Sequence, residues 1–256
     1  MTVLLLCLTN ANLSISVSVD RKILFVYKTY SDKLKSEHEY QETIMQALAF
    51  HNVSFSSLEG GILSSVVPSL TRKVKNAASS ILNKECLVIS RELKSGVAIR
   101  MDNPSEVGSD IICLAKGALT KFQEDALIIS LDSVLMFLEV SKNNEFLGGA
   151  LFPGMKASLD KMISSSAQLS DLELEDPHVL IGKNTKDSIS SGLINGYSFL
   201  ITKYIQEIEK EKNKKYKIII TGEDFSLIKD KINFEYTYLK DLVLEGLYDI
   251  YVKNVK

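Results

Sequence analysis

VLLLCLTNANLSISVSVDRKILFVY, residues Val3–Tyr27, strings three strand signatures end to end. Val3–Leu8 is a continuous apolar run, as a strand buried on both faces requires. Leu13, Ile15, Val17 and Val19 then alternate with Ser14, Ser16 and Ser18, the period-two pattern of a half-buried strand. Asp20-Arg21-Lys22 makes a polar turn, and Ile23–Tyr27 reads as a third strand. The opening is a β-meander.

The same plan returns about 123 residues later. Ala126–Leu131, Val134–Val140 and Glu145–Leu151 read as three strands, and a helix follows Pro153-Gly154. After the first meander the pattern predicts a helix over His38–His51, a strand at Ile62–Val67 and a helix opening at Pro68. Strands follow at Cys86–Ser90 and Val97–Arg100. After the second, Asn184–Glu209 carries apolar residues at helical spacing, followed by a strand at Lys217–Thr221 and a helix through Asp241–Asn254. Two meanders, each followed by alternating helices and strands, predict a duplicated α/β chain with lobes over 1–123 and 124–256. In that helix Ser188, Gly192 and Gly196 form a small-residue face suited to close helix packing, within the chain or across a dimer.

Bulk composition excludes several classes. Lys and Arg total 30 against 32 Asp and Glu, so no net field draws nucleic acid or an anionic membrane. Lys-rich Glu209–Lys217 includes its own acids and reads as a solvated helix end. Cys7, Cys86 and Cys113 are scattered and lack metal spacing, which favours a reducing, cytoplasmic setting. The apolar Val3–Leu8 is too short to span a bilayer and lacks the basic flank of a signal peptide. His38, His51 and His178 show no ligand spacing and read as surface residues.

The four prolines sit in distinctive runs: SSVVPSLT (Ser64–Thr71), DNPSEVGSD (Asp102–Asp110), LGGALFPG (Leu147–Gly154) and the stretch from Pro177 into IGKNT (Ile181–Thr185). In this order and spacing, with LVLEGL (Leu242–Leu247) near the end, the chain resembles the type III pantothenate kinases almost throughout. That resemblance implies duplicated ribonuclease-H-like lobes of the actin-like ATPase superfamily, with a nucleotide between them. It also implies ATP-dependent phosphorylation of pantothenate at the start of coenzyme A synthesis, with Mg²⁺ and a monovalent cation. The family works as dimers whose substrate pocket lies at the subunit interface.

Phosphoryl transfer asks the protein to position ATP and neutralise charge, using backbone amides and a metal. The family's first phosphate loop reads Asp-x-Gly-Asn-Thr; the aligned residues here are Cys7-Leu8-Thr9-Asn10-Ala11. Asn10 matches, while Cys7 stands at the acid, Thr9 at the glycine and Ala11 at the hydroxyl. The second loop, Asp-Phe-Gly-Thr-Ala-Thr in the family, is Ser130-Leu131-Asp132-Ser133-Val134-Leu135. Ser130 stands at the acid, and Ser133 keeps a hydroxyl. All 13 glycines lie at or after Gly60, and none falls between Gly117 and Gly148, so neither hairpin contains one. No confident metal ligand remains; Asp132 as a shifted ligand is the alternative. Cys7, ending an apolar strand, reads as a small buried hydrophobe rather than a reactive thiol.

The substrate side matches better. The family's Gly-Ala-Asp-Arg aligns on Gly108-Ser109-Asp110-Ile111, which makes Asp110 the candidate general base toward the pantothenate hydroxyl. Ile111 replaces the arginine that meets the carboxylate and cannot supply a two-pronged charged contact. The plain alternative for Asp110 is a surface acid on a helix begun at Pro104. Thr185 and Met101 match positions lining the pantothenate pocket, and Gly148, Gly149 and Gly154 match the adenine region. Thr221-Gly222-Glu223-Asp224 resembles a Thr-Gly-Gly-Asp motif with an acid intruding at its second glycine. The resemblance therefore implies an impaired subunit that pairs with an intact paralogue, with ATP and Mg²⁺ held in the partner. A divergent but active kinase and a non-enzymatic regulatory protein are the alternatives.

Overall fold

A computed structural model describes residues 1–90, 92–164 and 172–255. The chain forms two units: Met1–Gln123 with Ser141–Leu147 and Asp241–Lys256, and Glu124–Val140 with Gly148–Lys240.

The first unit opens with β1 (Thr2–Leu8), β2 (Asn12–Val19) and β3 (Lys22–Tyr30), the antiparallel meander that the alternation predicts. Helix α1 (Glu37–Phe50) starts on a capping box between Ser36 and Glu39. Then come β4 (Gly60–Ser65), α2 (Pro68–Leu82) and the two-residue strands β5 (Leu87–Val88) and β6 (Ala98–Ile99). Helix α3 (Ser109–Phe122) follows, and the chain closes on α8 (Leu242–Val255), numbered after the elements of the second unit. The sheet order is β3-β2-β1-β4-β5, with β4 parallel to β1 and β5 parallel to β4.

Strand β1 explains its own apolar run. Leu4, Leu6 and Leu8 pack toward α1 and α2, while Val3, Leu5 and Cys7 pack toward α3 and α8. The serines of β2 depart from the half-buried expectation, since Ser16 and Ser18 are fully buried. Ser16 pairs directly with Leu5 and so shares the face on which α8 lies. Its hydroxyl donates to the Phe25 carbonyl at 2.5 Å. A serine alternation reads the same whether that face meets water or a helix.

Helices α3 and α8 cross at glycines. A Cβ on Gly246 would lie 1.9 Å from the Cys113 carbonyl oxygen, and one on Gly117 would lie 2.6 Å from that of Leu242. This contact gives the LVLEGL run a physical reason.

The second unit repeats the layout with β7 (Ala126–Leu131), β8 (Val134–Ser141) and β9 (Glu145–Pro153), then α4 (Met155–Ser164). A long helix follows in three parts: α5 (Thr185–Ser190), a π-turn over Ser191–Asn195, and α6 (Gly196–Lys212). Strand β10 (Lys217–Thr221), the short helix α7 (Phe225–Ile228) and β11 (Thr237–Tyr238) complete it. The order β9-β8-β7-β10-β11 matches β3-β2-β1-β4-β5 strand for strand. The core forms where Ile129, Leu131, Leu135 and Phe137 meet Ile194, Ile201 and Ile205. The first residues of β9, in the first unit, pair with β6.

Three expectations need correction. The strand expected at Ile62–Val67 ends at Ser65, because Val67 already caps the helix begun by Pro68. The strands at Cys86–Ser90 and Val97–Arg100 shrink to two ladder residues each, since an apolar run does not by itself supply a pairing partner. The small face of the long helix is not packed within the chain: a Cβ on Gly192 or Gly196 would meet open space, so of the two alternatives the intrachain one fails. Among the described residues no helix is long and apolar enough to cross a membrane.

Candidate functional site

In the first unit, β1 delivers Cys7 beside Ser64 of β4, its ladder partner. Cys7 is 7% exposed and sits among Val3, Leu5, Ile62, Cys113 and Leu247. The following turn is closed on itself. The Thr9 amide and hydroxyl both donate to the Asn12 carbonyl, at 2.8 and 3.1 Å, and the Asn12 amide returns a bond to the Thr9 hydroxyl at 3.0 Å. Ser31 clamps the turn from β3's end, its hydroxyl donating to the Thr9 carbonyl at 2.7 Å. Asn10 is exposed at the tip.

No residue of either hairpin loop is among those with positive φ. The missing glycines therefore impose no backbone strain. What Thr9 adds is a side-chain closure of the turn, its hydroxyl taking the Asn12 amide that would otherwise be available to another acceptor.

In the second unit, Ser130 is buried and its hydroxyl donates to Asp132 Oδ2 at 3.5 Å. Asp132 and Ser133 stand exposed at the hairpin tip. Two later segments close on this tip. The Gly154 amide donates to the Ser133 carbonyl at 3.0 Å, and a Cβ there would lie 2.0 Å from the Asp132 carbonyl oxygen. Gly222, at φ +100°, lies so close that a Cβ would meet the Leu131 carbonyl oxygen at 2.2 Å. The amide of Glu223 donates to Asp132 Oδ1 at 3.3 Å. Glu223 itself faces solvent, whereas Asp224 is buried and pairs with Lys156 at 3.2 Å. Burial pushes the Asp224 carboxyl up, and Lys156 opposes that shift.

Gly148 and Gly149 lie within β9 rather than in a turn. A Cβ on Gly149 would sit 2.5 Å from the Phe137 carbonyl oxygen, so its role there is close strand packing on β8. Of the glycines matched to the adenine region, Gly154 alone abuts a loop tip.

On the substrate side, Pro104–Glu106 forms a separate 3₁₀ turn, and α3 begins at Ser109 with Gly108 as its cap. Ser109 Oγ lies 2.8 Å from Ser64 Oγ and 3.0 Å from the Ser65 carbonyl, tying α3 to the end of β4. Asp110 folds back over the helix start, with its Oδ1 accepting from the Ile111 amide at 2.9 Å. Burial pushes its carboxyl up, partly offset by its own helix amides. One turn on, Cys113 is fully buried and its thiol is pushed well up by burial, with Cys7 next in effect. Cys7, Ser64, Ser109, Asp110 and Cys113 thus gather at one end of the first sheet. Ser64, Cys113 and Lys156 were not singled out from sequence; Ser64 lies in the Pro68 run, and Lys156 follows Gly154 by two residues. Met101 is 38% exposed in the same unit, and Thr185 is the exposed first residue of α5 in the other.

Magnesium takes oxygen ligands and usually one or two carboxylates. The first hairpin offers a buried thiol in an apolar setting, and the second offers Asp132 already accepting a backbone amide. The residues present do not fit a resident metal at the first loop, and at the second only Asp132 could contribute a ligand. Among the described residues no group of three or more His, Cys, Asp or Glu side chains could hold an ion.

The repeated strand order, with a hairpin loop at the head of each sheet, defines the actin-like ATPase fold. Component A of (R)-2-hydroxyglutaryl-CoA dehydratase from Acidaminococcus fermentans shares this fold, with a TM-score of 0.57 at 10% identity over 100% of both chains. The chain belongs to the type III pantothenate kinase family, whose sequence model matches residues 3–207. It is 34% identical to a type III pantothenate kinase of Sulfurihydrogenibium sp., covering 78% of this chain and 80% of that one. It is 32% identical to that of Finegoldia magna, covering 93% and 92%.

Proposed function

We propose that this chain acts in the ATP-dependent phosphorylation of pantothenate in coenzyme A biosynthesis, as a cytoplasmic subunit impaired at its own phosphate loops. Its two duplicated lobes, divided near residue 123 with α8 returning to the first, form the two halves of the kinase, and an intact paralogue supplies the site that holds ATP, Mg²⁺ and a monovalent cation. The observation that carries this reading is Cys7. The position at which the family places a metal-organising acid is here part of an apolar cluster, where an unpaired charge is costly.

In this reading Asp110 receives the proton of the pantothenate hydroxyl, and burial, by pushing its carboxyl up, makes it a stronger base than an exposed aspartate. Gly108 and Ser109 fix the carboxylate's position, since a Cβ on Gly108 would lie 2.4 Å from Asp110 Oδ1. Met101 and Thr185 line the pocket. Asn10, Ser133, Gly148, Gly149 and Gly154 mark the former nucleotide site, with Cys7 and Ser130 at the lost acids. One observation favours a divergent active kinase instead: Asp132 presents a carboxylate at an exposed hairpin tip.

The test is a pantothenate phosphorylation assay on the purified chain, alone and mixed with a paralogue carrying both acidic loops. Turnover only in the mixture supports the subunit reading. Ordinary metabolic turnover by the chain alone would refute it.

A further inference from the structure

At the far end of the first sheet from the Thr9–Ala11 turn lies a cavity of about 500 Å³. Strand β1 separates the two along its length, roughly 20 Å at ~3.3 Å per residue. The volume lies within the range of small-molecule sites.

Three elements bring cations to it. Helix α3 contributes Lys116, with Thr120 one turn on, and α8 contributes Tyr248, Asp249, Val252 and Lys253 from a single face. The β2–β3 turn contributes Arg21 and Asp20. That turn is unusual in placing both residues in the left-handed region, Asp20 at φ +47° and Arg21 at φ +73°, where glycine or asparagine is the ordinary choice. Arg21 is held there by Asp249, Nη2 to Oδ2 2.7 Å, so the strained backbone aims a guanidinium into the cavity.

The acids are already engaged. Asp20 takes the amino group of Met1, and Asp249 pairs with Arg21. Lys116 and Lys253 have no ion-pair partner within bonding distance among the described residues. Lys116 is half-buried, and burial pushes its ammonium pKa down; Asp249 opposes this, while Lys253 and Arg21 add to it. Like charges crowded in a partly desolvated cavity are relieved by an anion that bridges them.

We propose that this cavity binds a small phosphate monoester, its phosphate between Lys116 and Lys253 and its body against Tyr248 and Val252. The site is independent of the proposed kinase role, and none of these residues belongs to the phosphate loops or the Asp110 cluster.

Titration calorimetry with inorganic phosphate and with phenyl phosphate, at low and moderate salt, tests it on the full chain. Phenyl phosphate should bind at least several-fold more tightly than inorganic phosphate, because only it covers the apolar wall. A Lys116→Met/Lys253→Met double variant should weaken that binding at least tenfold, and Lys116→Arg/Lys253→Arg should restore it. If the double variant fails to fold, Lys253→Glu at an exposed position should give the same loss. Unchanged affinity in these variants, or no binding of either anion to the wild type, overturns the proposal.

Discussion

Restoring the family acid by Cys7→Asp should damage the fold rather than revive a site. Residue 7 is 7% exposed, its neighbours Val3, Leu5, Ile62, Cys113 and Leu247 are apolar, and the Ser64 hydroxyl beside it is already bonded to Ser109. A carboxylate buried this way is shifted up by about 3 pKa units, and at ~1.36 kcal/mol per unit that is about 4 kcal/mol when the acid is ionised. A neutral carboxyl there must be accommodated in a site shaped for a thiol, which costs ~1–3 kcal/mol more for each buried polar group left unsatisfied. The sign follows from linkage. The folded pKa lies above the unfolded one, so the unfolded chain loses its proton first and stability falls as pH rises from ~4 toward ~7. Below ~4 only the neutral-group cost remains. Urea unfolding of both proteins at pH 5 and pH 7.5, with and without Mg²⁺, reads this directly. We expect a gap that widens with pH and ignores Mg²⁺, against a typical domain stability of ~5–15 kcal/mol. A small, pH-independent gap, or Mg²⁺ restoring the variant's stability, would refute the view that position 7 has become core.

The chain alone should bind Mg-ATP far more weakly than an ordinary metabolic kinase, and calorimetry giving a micromolar constant would overturn the impaired-loop reading. Asp110→Asn should lower turnover of a mixed assembly by ~10²–10⁴-fold without disturbing assembly. In the isolated chain the same change should raise stability at neutral pH and do little below ~4, because burial raises the native carboxyl's pKa. Gly246→Ala should destabilise by several kcal/mol, since its Cβ would lie 1.9 Å from the Cys113 carbonyl oxygen. Gly192→Ala, which meets open space, should stabilise by a few tenths to ~1 kcal/mol; thermal unfolding separates the two signs.

Local pattern made the two meanders legible. The strands of both meanders could be read from their apolar runs and alternation, and the two sheets share one strand order, as a duplicated plan requires. What sequence hid is long-range. Ser16 and Ser18 look solvent-facing until α8, more than 200 residues on, covers their face. Cys7, Ser64 and Asp110 meet only once β1, β4 and α3 are assembled, so the cluster has no linear signature. The basic cavity draws on a turn and two helices that are far apart in sequence, each carrying charges that look like ordinary surface alone. Gly149 has a further reason that its motif does not reveal, since a Cβ there would lie 2.5 Å from the Phe137 carbonyl oxygen across the β8–β9 pair.

The glycines divide along a physical line. Gly246, Gly154 and Gly222 each lie where a Cβ would strike a backbone carbonyl oxygen within 2.2 Å, so the folded chain itself requires them. At the two hairpin loops the backbone has ordinary φ values, and Thr9 and Asp132 sit there without strain. On the proposed reading a glycine in those loops would serve a bound phosphate, since the backbone there does not require one. On that reading the chain keeps glycine at these three backbone contacts and lacks it in the two loops that would meet a nucleotide. Cys7 fits the same division, because its small apolar side chain serves the core and an acid there would serve only a metal. On the proposed reading, divergence at ligand-dependent positions leaves the scaffold intact, so that a chain impaired at its own phosphate loops can still fold and pair with an intact partner.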